Sequence, residues 1–368
     1  MKMLIVISTV VVSVFTTAPT WANSTNDYIQ HAKSVVKKAS STQFPPFTLP
    51  NTPQAAKNKT VIFVTSDLKN NGVLGVVKGF MEASRAIGWK TRIIDGAGTF
   101  DGQYSALEQA ISLNPDGIVV GGFNPDKMET LLKKSHTAGI KTVAWHASPD
   151  PGPMPKYYIS TNITSSSDDV AKVSAMYAIA DSNGRANVVI LTDSAYKIAI
   201  HKAKVMEDYI KKCRSCKVLN YIDEPLAKTS SRIPKLTYNL IQDFKGQYGY
   251  TLAINDLYFD YMAPTLHSLG KNQTNAPKNI SAGDGSQSAF ERIRNKDFQV
   301  ATVAEPLNLH GWQTIDELNR LFNKKPISNY VTPVHLVTPD NIDEAGGDRN
   351  TYDPDNGYRE FYSDAWNQ

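Results

Sequence analysis

The chain has 368 residues, enough for two cores of ordinary size, and a globular composition of 41% apolar, 20% charged and 10% aromatic residues. Its formal net charge of +4 is small for that length. The densest basic cluster, Lys211-Lys212 with Arg214 and Lys217, reads as a solvated helix end, so no nucleic-acid partner is expected.

Met1-Lys2-Met3 precedes an apolar run from Leu4 to Phe15, and Thr20-Trp21-Ala22 follows as a small-residue site. This pattern predicts a secretory signal over 1–22, cleaved near Ala22, and a periplasmic mature chain. The apolar core falls short of the roughly 20 residues that span a bilayer. No cysteine stands at the cleavage site to carry a lipid, and no second long apolar run follows, so the mature chain is expected to be soluble.

Residues 24–40 have the spacing of an amphipathic helix, with Tyr28, Ile29, Ala32, Val35 and Val36 on one face. Phe44-Pro45-Pro46-Phe47-Thr48-Leu49-Pro50 then predicts an extended strap lying on the body of the protein. From Thr60, apolar runs alternate with amphipathic stretches. Strands are expected at 60–65, 91–95, 117–122 and 141–145, with helices at 73–87, 102–113 and 125–138 between them. Ser148-Pro149-Asp150-Pro151-Gly152-Pro153 breaks the rhythm, and 157–162 reads as a crossing strand. A second series follows: strands at 187–192, 217–223, 250–255, 279–283 and 299–304, and helices at 166–181, 195–212, 230–244, 258–269 and 286–295. A helix at about 308–322, an extended segment and a polar, aromatic tail close the chain. Asp353-Pro354-Asp355-Asn356-Gly357 has its glycine one place too early for a calcium loop and reads as a turn.

Cys213 and Cys216 are the only cysteines. In an oxidising compartment they predict a local disulfide where a helix ends. A metal site would need further ligands that the neighbourhood lacks, and a thiol catalyst would place the pair at a helix N-terminus. Gly72, Gly75 and Gly79 do not have the dinucleotide spacing. They are read as a turn cap and as small residues packing a helix on the sheet, and no cofactor is expected.

The strand ends are more informative, because open parallel sheets bind ligands at the carboxyl ends of their strands. Asn70-Asn71 follows the first strand, Trp145-His146 ends the fourth, Asn255-Asp256 ends YTLAIND, Asp284 ends NISAGD and Glu305 ends QVATVAE. Phe123, Asp193, Tyr196 and Glu224 complete the candidate ligand-binding set. The plain alternative for the Asp and Asn members is helix N-capping.

Taken together, these positions resemble the sugar-binding proteins of ABC transporters, of the ribose-binding-protein type (type I periplasmic binding fold). The resemblance covers Thr60 to Thr338 and rests on the order of four marks: the Asn-Asn helix start, AIND, SAGDG and ATVAE. It implies two similar doubly wound α/β lobes of parallel sheet, joined by three crossings near Thr161, Glu305-Pro306 and Val331. The lobes would comprise 60–161 with 306–331, and 162–305 with 332–345, preceded by a helix and strap at 23–59 and followed by a tail at 346–368. The family's solute contacts carry over to Asn71, Asn255, Asp284 and Glu305. Two departures stand out: Trp145-His146 replaces the Asp-Arg pair common in relatives, and Ile200 stands where they place an arginine. A neutral or cationic solute is therefore expected over an anionic one.

The implied function is capture of a small polar solute and delivery to an ABC permease, by a monomer that is not an enzyme. One alternative is a ligand-sensing subunit for a membrane sensor kinase. Another is a hydrolase using His146 with a crevice carboxylate, although no Gly-x-Ser-x-Gly elbow is present.

Overall fold

A computed structural model of the protein describes residues 21–43 and 45–368; most of the expected signal segment, 1–20, and Phe44 lie outside the described residues. The described residues begin with α1 (Trp21–Ala39). The first series is β1 (Thr60–Thr65), α2 (Asn71–Ile87), β2 (Lys90–Asp95), α3 (Phe100–Ser112), β3 (Gly117–Gly121), α4 (Glu129–Thr137), β4 (Lys141–Trp145), β5 (Gly152–Met154) and β6 (Ile159–Ile163). The second is α5 (Ser167–Asp181), β7 (Asn187–Thr192), α6 (Lys197–Lys212), β8 (Lys217–Asp223), α7 (Thr229–Phe244), β9 (Tyr250–Ala253), α8 (Leu257–Ser268), β10 (Lys278–Ser281), α9 (Gln287–Arg294) and β11 (Gln299–Ala304). Then come α10 (Leu307–Phe322), β12 (His335–Val337), α11 (Ile342–Gly346) and α12 (Tyr358–Asn367).

The strands form two six-stranded sheets, ordered β2-β1-β3-β4-β6-β5 and β12-β11-β10-β9-β7-β8. Pairing is parallel throughout, apart from β5 against β6 and β12 against β11. Helices cover both faces, which is why the inner strands are buried almost end to end and carry apolar runs such as Val61–Val64 and Val188–Leu191. The first lobe has a core on each face of its sheet, one under α2 and α10 and one under α3 and α4. The second lobe has one large core that includes Ala32 of α1.

The chain passes between the lobes after β6, after β11 and again between α10 and β12. Two further passages lie at the ends. α1 packs on the second lobe, whereas Phe47, Leu49, Ala55 and Ala56 pack on the first. Ile342, Ala345 and Tyr352 belong to the second lobe, whereas Tyr358, Tyr362 and Trp366 of α12 pack on the first. These end straps run side by side: the Phe47 amide donates to the Asn356 carbonyl at 2.8 Å. Arg320 fastens the N-terminal strap by donating to the Pro50 carbonyl, and Asn319 does so by donating to Pro53.

Two expectations are corrected. The final residues are not an irregular tail, since Tyr358, Phe361, Tyr362, Ala365 and Trp366 fall on one helical face and dock it. The glycines of α2 do not serve the sheet. A Cβ at Gly75 would meet Leu307, and one at Gly79 would lie 2.2 Å from the Asn308 carbonyl, so both positions admit α10. Nor is Gly72 the cap: Asn70 caps α2, its Oδ1 accepting from the Gly72 amide at 2.9 Å. Cys213 and Cys216 are paired at the end of α6, with Cα atoms 5.3 Å apart. Among the described residues, no helix is long and apolar enough to cross a membrane.

Candidate functional site

The carboxyl ends of the two sheets face each other across a narrow cleft lined by residues of both lobes. The lobes are apposed. Asp284 of the second lies so close to α2 of the first that a Cβ on Gly72 would sit 2.0 Å from its Oδ2. Lys197 pairs across the gap with Asp126, and Asn124 Nδ2 donates to the Ala195 carbonyl at 3.3 Å.

Of the candidates read from the sequence, Asn70, Trp145, His146, Tyr196, Asn255 and Asp284 line this cleft. Asn71 does not; it turns toward a neighbouring groove, its Nδ2 3.4 Å from Ser288 Oγ. Phe123 is buried in the first lobe's α3–α4 core. Asp193 is consumed by backbone, its two oxygens accepting from Ala195 and Leu226 at 2.8 Å. Glu224 pairs with Arg232 at 3.0 Å. Asp256 takes the Gly285 and Ser286 amides and Gln299 Nε2, bracing the loop that carries Asp284. Asp284 is not a helix cap, since Ser286 caps α9. Instead its Oδ2 accepts from Asn255 Nδ2 at 2.8 Å, while Asn255 Oδ1 holds the Leu257 amide.

Glu305 stands behind the cleft wall, 1% exposed. Its Oε2 lies 3.0 Å from His146 Nε2 and accepts from the Ser165 amide, and its Oε1 accepts from Lys202 Nζ at 3.4 Å. Burial by itself would raise its pKa, but His146 and Lys202 outweigh that and hold it well below the usual range. Asp284 shows the opposite balance: burial dominates and lifts it to about 6, although Lys202 Nζ is 4.0 Å away.

Lys202 is the residue that sequence reasoning missed. It lies on α6 in the cleft wall, 3% exposed, and donates to the Ala282 carbonyl at 3.0 Å. A signal for it existed. Ile198, Ala199, Ala203, Met206 and Ile210 mark the buried face of α6, and position 202 falls on that face. The cleft thus carries a lysine two residues from Ile200, the position where relatives place an arginine.

His146 has φ 53° and its ring stacks on Trp145 at 3.9 Å. Trp145 Nε1 donates to His310 Nδ1 at 3.1 Å, and His310 Nε2 faces the Thr332 hydroxyl and Ser165 Oγ. Burial lowers the pKa of His310 to about 3, so it is neutral. His146, Glu305 and His310 bring ligand-type atoms within 4.8 Å of one another, yet these hydrogen bonds already occupy them. The network joins two cleft residues, His146 and Lys202, to all three hinge passages through Ser165, Glu305 and Thr332.

A family model described as the periplasmic binding protein domain matches residues 61–326. No curated protein matches the chain. Among solved structures, the chain is similar to an ABC transporter solute binding protein from Agrobacterium vitis with bound allitol, at 17% identity and a TM-score of 0.66, covering 78% of this chain and 98% of that one. It is similar to one from Bacillus halodurans with bound myo-inositol, at 16% identity and 0.67, covering 80% and 98%. A 5-methylthioribose transporter solute binding protein from Thermotoga lettingae, in complex with 5-methylthioribose, aligns at 14% identity and 0.70, covering 86% and 95%. At these identities the likeness establishes the fold.

Proposed function

Since the chain belongs to the periplasmic binding protein domain family, we propose that it captures a small polyhydroxy solute between its lobes and delivers it to an ABC permease. The observation that carries this reading is the polar wall of the cleft. Asn70, His146, Lys202, Asn255 and Asp284 converge there from both sheets and offer donors and acceptors together. The solved structures similar in fold hold allitol, myo-inositol and 5-methylthioribose, which supports a hydroxyl-rich ligand. Lys202 beside Asp284 and Glu305 favours a neutral solute, because a cation would meet like charge at its ammonium. The solute stabilises the apposed lobes by binding them better than the parted ones.

A hydrolytic reading would need His146 as a base beside a nucleophile; its Nε2 faces Glu305 and its ring lies on Trp145. The lobes are taken to part at the passages near Thr161, Glu305-Pro306 and Val331, in a monomer exported to the periplasm with cleavage near Ala22. N-terminal sequencing of the mature chain from a periplasmic extract checks the last point.

The test of function is calorimetry and thermal shift against allitol, myo-inositol, arabinose and galactose. At least one should raise the melting temperature in a concentration-dependent way, since a ligand that binds only the native state must stabilise it. A flat response across polyols and monosaccharides would remove the proposal.

A further inference from the structure

Lys197 is a poor choice for its place in the chain. It is the first residue of α6, where the helix dipole favours an anion, and it follows Tyr196, an N-cap whose side chain makes no capping hydrogen bond. A local rule broken in this way points to a gain elsewhere. For Tyr196 the gain is the cleft, which it lines. For Lys197 it lies across the gap, where its ammonium pairs with Asp126 of the first lobe and stands 3.4 Å from the Tyr157 hydroxyl.

The first lobe builds its half of this contact with Asn124, which follows β3. Its Oδ1 accepts from the Asp126 amide at 3.2 Å and shapes the turn at Pro125–Lys127 that presents the carboxylate. Its Nδ2 reaches the Ala195 carbonyl, so the loops after β3 and β7 meet at two points. Asn124, Asp126 and Lys197 are not among the residues that line the cleft. These contacts therefore form when the lobes are apposed and take nothing from the solute.

Parting the lobes strands neither charge. Asp126 keeps two partners from its own lobe, since Tyr157 donates to it and Lys156 Nζ lies 3.5 Å away. Lys197 passes into water. Lys197 and Tyr157 hold the Asp126 carboxyl down at about 2, so it is an anion at neutral pH.

We propose that Asp126 and Lys197 form a latch between the lobes, which holds them apposed without touching the solute and slows the release of every solute alike. The effect on release rests on the solute-capture reading above; the effect on the lobes does not. The side chains are 42% and 41% exposed, so water weakens the pair. A pair of this kind shifts the balance between apposed and parted lobes by about twofold to fivefold.

The experiment measures purified, ligand-free protein by small-angle X-ray scattering at about 20 mM and about 1 M salt, where the screening length falls to about 3 Å. The radius of gyration of the parent should rise with salt. Lys197→Met should start expanded and not respond. Lys197→Glu supplies the anion that the helix start prefers but repels Asp126. It should keep the parent's circular dichroism, be the most expanded at low salt and contract as salt rises. Lys156→Met, which takes a partner from Asp126 within one lobe, should scatter as the parent does. Lys197 variants that match the parent at both salts overturn the latch, and so does equal expansion in Lys156→Met. In stopped flow at low salt, any of allitol, myo-inositol, arabinose and galactose that binds should leave Lys197→Met about twofold to fivefold faster than the parent. Unchanged release rates overturn the slowing of release. Binding by none of the four overturns solute capture and the role in release with it, while the scattering still decides the latch.

Discussion

His146 Nε2 lies 3.0 Å from Glu305 Oε2, and neither side chain is more than 7% exposed. The contact ties the end of β4 in the first lobe to the second of the hinge passages. With Lys202 on the other oxygen, Glu305 balances charge that would otherwise be buried alone. Glu305→Gln keeps the shape and removes the charge. It should cost about 3 kcal/mol, read as a lower denaturation midpoint. An unchanged midpoint would mean that the pair contributes nothing to the fold.

Lys202 has two roles, holding Glu305 and the Ala282 carbonyl and facing the cleft. Lys202→Met should weaken binding of whichever solute the panel identifies by at least tenfold in calorimetry. Lys204→Met, which removes an exposed neighbour paired with Glu207 and Asp208, should leave affinity within twofold. Equal affinities for the two variants would take Lys202 out of the site.

Asp284 sets a pH dependence with a definite sign. Its pKa is about 6 in the folded chain against 3.8 as the ordinary value, chiefly through burial. Between those values the unfolded chain releases the proton first, so rising pH draws the balance toward unfolding. Asp284→Asn removes this effect. The variant should gain stability relative to the parent, on the order of 1–3 kcal/mol, as pH climbs from about 4 to 7. A difference that stays flat across that range would contradict the assignment.

Trp366 stacks on Trp312 at 5.5 Å and on Tyr362 at 5.2 Å, with 3% of its surface exposed. Trp366→Ala should cost about 3–5 kcal/mol, measured by thermal or chemical unfolding. Retention of full stability would show that α12 is an ornament on the first lobe.

The Cys213–Cys216 pair closes a short loop on the surface of the second lobe, away from the cleft. The double change to serine should lower stability by about 2 kcal/mol and leave solute affinity within twofold. A tenfold loss of binding would assign the pair a role at the site.

Much of the architecture was legible because strand-length apolar runs recur at helix-length intervals, and that rhythm survives any detail of packing. The site was legible only in part. Asp193, Glu224, Asp256 and Asp284 all follow apolar runs and look alike in sequence. What separates them is which backbone amides curl back within reach, and three of the four are taken by a turn, a loop or an arginine. Lys202 escaped notice because a lysine is read as solvent-facing, although its helical phase places it among Ala199, Ala203 and Met206. The α12 helix was obscured by the polar residues between its aromatic ones, and its docking depends on Trp312 and Tyr330, far away in the chain.

The two end straps both cross from the second lobe to the first along the chain. The beginning of the described chain rests on the second lobe, and its end rests on the first. A donor dye near Asn26 and an acceptor dye at Gln368 would therefore sit on different bodies and outside the cleft. Energy transfer between them would give a ruler for the angle between the lobes, readable in solution with the solute-contacting side chains untouched.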